Sequence, residues 1–217
     1  MTGQTLDAPS QVFTCPDVEA AAAWLAASMA RRGAASVRIA TLGPEGTSAD
    51  TVLAQMAGHL RGDYGREVVA VLQPEFDRVM DRVVDGCVDF ALLPSAYRDA
   101  TAFHWHAALS LDCVFVHRTP AYGLAASADV ESVDGRPVTV AAMSETRGVY
   151  SQVAPAWLHR RPVSFVQARS TSDAASLVRK GEADIALCND EGRDANGLSW
   201  IGVRPGADIV WMLFRKS

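Results

Sequence analysis

The sequence predicts a two-lobed α/β protein, and three observations carry that prediction. From residue 36 onward, short β-branched apolar runs alternate with helical patterns in the order β-α-β-α-β, which calls for mostly parallel strands with helices on the sheet faces. A helix–Gly–acid–strand phrase occurs twice, as Val84-Asp85-Gly86-Cys87-Val88-Asp89-Phe90 and as Arg179-Lys180-Gly181-Glu182-Ala183-Asp184-Ile185. It implies two similar β-α-β lobes, each with a glycine closing a helix and an aspartate at a strand entrance. Finally, 217 residues with 49% apolar and 21% charged side chains suit one large domain or two small lobes.

The elements follow in order. Residues up to about Cys15 read as a loose tail, and Asp17 is placed to cap a helix running to about Arg32. Residues 36–42 (SVRIATL) read as a strand, 49–60 as a helix, 67–72 as a strand, 75–85 as a helix and 88–93 as a strand. Two short apolar runs, 111–116 and 122–126, flank Arg118-Thr119-Pro120. A strand at 137–143 leads to a helix from about 146 to 159, which Pro155 must kink or end. Then come a strand at 163–167, a helix at 172–180, a strand at 183–188 and a short helix at 190–195. Strands at 198–203 and 208–214 close the chain, with the Gly206 region as the turn between them.

Composition excludes several function classes. The formal charge of −5 offers no general basic surface to nucleic acid or an anionic membrane, so an anionic ligand needs local features to hold it. Cys15, Cys87, Cys113 and Cys188 are far apart and form no C-x-x-C pair, which reads as reduced, mostly buried thiols without zinc or a disulfide framework. Residues 1–10 lack the basic and apolar regions of a leader, and the alanine-rich stretch 20–29 is too short to span a bilayer. A cytoplasmic protein without a metal or other cofactor is the expectation, and a homodimer is left open.

Ligands in such folds lie at the carboxyl ends of the strands. Three strand-to-helix corners there are rich in hydroxyls: Gly43-Pro44-Glu45-Gly46-Thr47-Ser48, Ser144-Glu145-Thr146-Arg147-Gly148 and Ser170-Thr171-Ser172. Helix N-termini present free N–H groups and the positive end of the dipole, so three corners around one cleft can grip a small dianion. Taken singly, Thr47, Ser144 and Ser172 also fit ordinary N-caps. No G-x-G-x-x-G and no Walker lysine accompanies the glycines. Arg147, beside a helix start, is placed to clamp a carboxylate with two bonds or to be simply solvated.

The first corner resembles the opening signature of the prephenate dehydratase family, and Ser170-Thr171-Ser172-Asp173-Ala174-Ala175 resembles that family's Ser-Thr-x-x-Ala-Ala corner. The resemblance covers residues 36–217 and implies a periplasmic-binding-protein type II-like fold. It places lobe 1 at about 36–108 plus 190–217, lobe 2 at about 109–189, and residues 1–35 outside the catalytic domain. The chain departs from dehydratases where they carry Thr-Arg-Phe in the last strand, reading Ile209-Val210-Trp211-Met212-Leu213-Phe214 instead. That departure, with Pro94-Ser95-Ala96-Tyr97 and Thr119-Pro120-Ala121-Tyr122-Gly123-Leu124-Ala125, resembles the bacilysin-pathway type of prephenate decarboxylase branch. At the second corner Ser144-Glu145-Thr146 departs from that branch's Ser-His-Pro.

The resemblance implies non-aromatising decarboxylation of prephenate, or of a similar dicarboxylate, in natural-product biosynthesis. Thr47, Ser48, Ser170, Thr171 and Ser172 would hold carboxylates, with Ser144, Thr146 and Arg147 from the second corner. Tyr97, beside Ser95, and Tyr122 would meet the ring hydroxyl or keto group. The proton donor is open among His104, His106 and Glu145. The rival readings are a true dehydratase giving phenylpyruvate, a solute-binding protein, and a non-catalytic ligand-binding protein of the same fold.

Overall fold

The computed structural model describes residues 11–127, 130 and 136–217. Two sheets form two lobes. The six-stranded sheet has the order β1-β5-β11-β4-β2-β3, with β1 Phe13–Cys15, β2 Ser36–Leu42, β3 Glu67–Gln73, β4 Phe90–Pro94, β5 Leu109–Arg118 and β11 Asp208–Lys216. The five-stranded sheet has the order β10-β6-β9-β7-β8, with β6 Tyr122–Ala126, β7 Val138–Ala142, β8 Val163–Gln167, β9 Ile185–Asn189 and β10 Ser199–Arg204. The helices are α1 Val18–Arg31, α2 Ser48–Tyr64, α3 Phe76–Val84, α4 Ala100–Trp105, α5 Arg147–Val153, α6 Thr171–Arg179 and α7 Asp190–Ala195.

The duplicated phrase proves to be a duplicated structure. Each lobe has a three-stranded parallel unit, β4-β2-β3 in one and β9-β7-β8 in the other. Antiparallel strands extend both units, β11 beside β4 and β6 beside β9, so each sheet is mixed. Gly86 and Gly181 stand at φ +72° and +75°, where a glycine ends a helix without Cβ strain. Asp89 then accepts the backbone N–H of Arg38 at 2.8 Å, and Asp184 accepts that of Thr139 at 2.8 Å. Each aspartate thus fixes the register of the neighbouring parallel strand.

Three features differ from the sequence reading, and each depends on long-range pairing. Of the loose tail expected up to Cys15, residues 1–10 lie outside the described residues, but Phe13–Cys15 is a strand parallel to β5. Asp17 caps α1, accepting the N–H of Ala20 at 2.9 Å, and Trp24 packs edge-on to Phe90 at 6.1 Å between centroids. The segment before residue 36 is therefore part of the first lobe's core. The expected boundaries near 109 and 190 also shift. β5 belongs to the first sheet, and α7 and β10 belong with the second. Consequently β10 and β11 do not form a hairpin about Gly206: they pair in different sheets. The chain crosses between lobes at residues 119–121 and 205–207. A Cβ on Gly206 would lie 1.8 Å from the Thr119 carbonyl oxygen, so the two crossings touch where only glycine fits.

The long helix expected up to 159 is a 3-10 turn at Ser144–Thr146 followed by the seven-residue α5, which ends just before Pro155. Cys15, Cys113 and Cys188 are buried, Cys87 is exposed, and all four are free thiols.

Candidate active-site cleft

The corners after β2, β7 and β8 converge where the lobes face each other, around a cavity of about 210 Å3. Its walls are mainly apolar: Leu42, Phe76, Pro94, Ile209 and Trp211 from the first lobe, Met143 and Val149 from the second. Polar groups reach it from Thr47, Ser48, Tyr97, Tyr122, Glu145, Thr146, Ser170, Thr171 and Arg204.

The hydroxyls divide by what they already bond. Thr47 Oγ1 accepts the Asp50 N–H at 3.2 Å and donates to the Leu42 carbonyl at 2.8 Å, so it caps α2. Ser170 Oγ accepts the Asp173 N–H at 3.0 Å and caps α6. Thr146 Oγ1 donates to the Met143 carbonyl at 3.1 Å. Thr171 is different: it is only 4% exposed, and its hydroxyl has no hydrogen-bond partner among the described residues. A hydroxyl left free at a cavity wall, on the first turn of a nine-residue helix, is ready for a ligand oxygen.

Other predicted hydroxyls join the lobes. Ser48 Oγ and the Tyr122 hydroxyl are 2.5 Å apart. Ser172 Oγ and the Asn189 side-chain amide both donate to the Gly46 carbonyl, at 3.3 and 3.2 Å. Thr51 Oγ1 lies 2.9 and 3.0 Å from the two carboxylate oxygens of Glu191. Ser172 thus holds the first corner against the second lobe and does not border the cavity. Asn189 and Glu191 share that task. The sequence reading missed them because a role across lobes leaves no local pattern.

Five candidates lie elsewhere. Arg147 Nη2 donates to Gln167 Oε1 at 2.9 Å, and its guanidinium sits 5.2 Å from the Phe165 ring centroid, so it covers β8 instead of entering the cavity. Ser144 Oγ donates to the Glu145 carboxylate at 2.8 Å and stays outside the lining. Ser95 is exposed beside the lining residues Pro94 and Ala96. His104 and His106 do not border the cavity. α4 buries Phe103 in the first lobe's core, which leaves His104 exposed against Phe214, 5.0 Å between centroids, and His106 Nδ1 accepting the Ala108 N–H at 3.2 Å. Phe214 is three residues along β11 from Trp211 at the cavity, about 10 Å of strand.

Tyr97 and Glu145 face the cavity from opposite lobes. The Tyr97 ring packs 4.4 Å from that of Phe76. Partial burial, reinforced by the carboxylates of Asp77, Asp99 and Glu145, pushes its phenol up to about 12. Burial also raises the Tyr122 phenol, against the opposing hydrogen bond with Ser48. Both phenols therefore stay protonated at neutral pH and act as hydrogen-bond donors. Glu145 is the only carboxyl group among the described residues that borders the cavity. Among the described residues there is no group of three or more His, Cys, Asp or Glu side chains placed to hold a metal ion. No described helix is long and apolar enough to cross a membrane.

No family model matches the chain. Among curated proteins, the prephenate decarboxylase of Bacillus subtilis strain 168 is 29% identical over 185 residues, which is 83% of this chain and 87% of that protein. The prephenate decarboxylase of Planktothrix agardhii is 29% identical over 182 residues, 82% of this chain and 88% of that protein. The chain is similar to these prephenate decarboxylases over most of its length. Its fold is that of the two-lobed binding proteins. A prephenate dehydratase from Arthrobacter aurescens, solved with L-Phe, superposes with a TM-score of 0.57 at 19% identity. That match covers 83% of this chain and 61% of the dehydratase chain, so this chain spans less than two thirds of it. A periplasmic substrate-binding protein of a Coxiella burnetii ABC transporter superposes with a TM-score of 0.52 at 16% identity, covering 81% of this chain and 83% of that one. In this chain the wall that β11 contributes is Ile209 and Trp211, with no hydroxyl and no guanidinium.

Proposed function

We propose that this chain decarboxylates prephenate, or a closely similar ring dicarboxylate, without aromatising it, and that the product enters natural-product biosynthesis in the cytoplasm. The observation that carries the reading is the apolar wall from β11, Ile209 and Trp211, opposite the carboxyl of Glu145. The names of the curated relatives support the same reaction.

In the reaction, the bond between the ring carbon and its carboxyl carbon breaks and CO2 leaves. The electron pair moves into the ring diene, and a ring carbon takes up one proton. The ring hydroxyl stays. Aromatisation would instead require that hydroxyl to depart as water, which needs an acid beside it. Ile209 and Trp211 cannot supply one, and the Tyr97 phenol holds its proton too firmly, so Tyr97 donates a hydrogen bond to the hydroxyl and leaves it in place. Glu145, the carboxyl group at the cavity, relays a proton from solvent to the ring carbon. The free Thr171 hydroxyl and the N–H groups at the start of α6 hold a carboxylate. The mainly apolar walls favour loss of CO2, because the carboxylate charge disperses as the bond breaks.

The test is incubation of the protein with prephenate near neutral pH, followed by ultraviolet absorbance and proton NMR. A non-aromatic dihydro-4-hydroxyphenylpyruvate is expected. Phenylpyruvate would make the protein a dehydratase, and no product above the spontaneous background would make it a binding protein.

A further inference from the structure

We propose that Arg204 is the carboxylate-recognition residue of the cleft, and that Gln152 positions its guanidinium for the side-arm carboxylate of a 2-oxo acid. The proposal rests on the reading of the cleft as a site for a prephenate-like acid.

Arg204 is the only cationic side chain among the described residues that borders the cavity. With a net charge of −5 the chain as a whole does not attract an anion, so an anionic ligand depends on local features such as this one. Arg204 stands at the end of β10, at the entrance to the crossing that carries the chain back to the first lobe. That crossing is rigid. The Thr119 N–H donates to the Ala207 carbonyl at 2.8 Å, the Ala207 N–H donates to Thr119 Oγ1 at 3.0 Å, and Gly206 admits no side chain. The backbone that bears Arg204 is therefore fixed relative to both lobes.

The guanidinium is held but not neutralised. Its Nη1 donates to Gln152 Oε1 at 2.9 Å and its Nε to the Pro205 carbonyl at 3.2 Å. Both partners are neutral acceptors, and no carboxylate among the described residues pairs with it. Gln152 is itself oriented, since its Nε2 donates to the Gly148 carbonyl at 3.3 Å and so turns its oxygen towards Arg204. A half-buried guanidinium with an unspent charge, oriented through two neutral bonds, can offer Nη2 and the outer face of Nη1 to a carboxylate as a fork. Arg147, nearer the second corner in sequence, has its guanidinium committed to Gln167 and Phe165 and leaves this role open.

Binding reads the proposal without depending on turnover. Calorimetry at neutral pH would compare phenylpyruvate, a stable 2-oxo acid, with its neutral methyl ester. Wild type is expected to bind the acid at least ten times more tightly than the ester. Arg204→Met should lose at least tenfold for the acid with the ester unchanged, and Arg204→Lys should recover only part of the loss. Gln152→Glu places a competing carboxylate against a guanidinium that it still holds in position. It should raise KM for prephenate several-fold with kcat nearly unchanged, whereas a merely structural Gln152 would leave KM alone. Wild type that fails to distinguish acid from ester, or Arg204→Met that binds the acid as wild type does, overturns the assignment. Selective acid binding without turnover of prephenate sustains it and removes only the proposed reaction.

Discussion

The hydroxyl of Tyr122, at the start of β6, lies 2.5 Å from Ser48 Oγ on the first turn of α2. This bond joins the two lobes at the cavity wall, beside the bonds that Ser172 and Asn189 donate and that Glu191 accepts across the same boundary. The first corner is thus gripped by the second lobe.

Tyr122→Phe removes the bond and keeps the ring. Burial of the tyrosine makes the loss worth about 1 kcal/mol of stability, read as a lower urea midpoint with an unchanged slope. Turnover of prephenate should fall several-fold, because Ser48 is then free to rotate into the cavity.

Thr47 and Thr171 both border the cavity, yet their substitutions should separate stability from binding. Thr47→Val removes the cap of α2 and should cost about 1–2 kcal/mol of stability. Thr171→Val removes a hydroxyl with no protein partner, so stability should hold while KM for prephenate rises by about tenfold, the worth of one hydrogen bond to a charged group. Thermal unfolding and steady-state kinetics on the same preparations check both.

Glu145→Gln keeps the shape and the bond from Ser144 but removes the proton. It should lower kcat by about 100-fold, the usual weight of one positioned acid, with KM little changed. His104→Ala and His106→Ala should each retain turnover within about twofold of wild type, since neither ring borders the cavity. An equal loss in the histidine variants would return the proton donor to α4.

Asp184 sets a pH dependence of stability. Burial opposes its ionisation, but hydrogen bonds from Arg136 and from the Thr139 N–H and hydroxyl hold its carboxyl down to about 2, against the usual 3.8. A carboxyl that binds its proton less readily when folded stabilises the fold above its unfolded value, and that contribution is lost as pH falls through about 2. Arg136 is largely exposed, so solvent screening reduces the contribution to about 1–2 kcal/mol. Asp184→Asn should therefore destabilise at pH 7 by that amount, with the difference from wild type closing as pH falls from 4 towards 2 in denaturant titrations.

Much of the fold was legible because its signals are local. Periodicity marked most strands and helices, and Asp17 and Thr47 announced their caps three residues ahead of the N–H groups they accept, whereas α6 is capped by Ser170 and not by Ser172, and Ser144 caps no helix. The phrases around Asp89 and Asp184 announced two equivalent lobes, because a left-handed glycine and a strand-entry aspartate repeat within a few residues. The three corners and the two tyrosines were legible for the same reason. The tertiary structure alone decided which sheet each late strand joins, so that β5 left the second lobe and β10 and β11 parted at Gly206. It also turned Arg147 onto Phe165, took His104 and His106 out of reach, and put Arg204 in the cleft. Periodicity and capping act over a few residues, whereas strand partners and the aim of a long side chain are set by contacts between segments far apart in the chain.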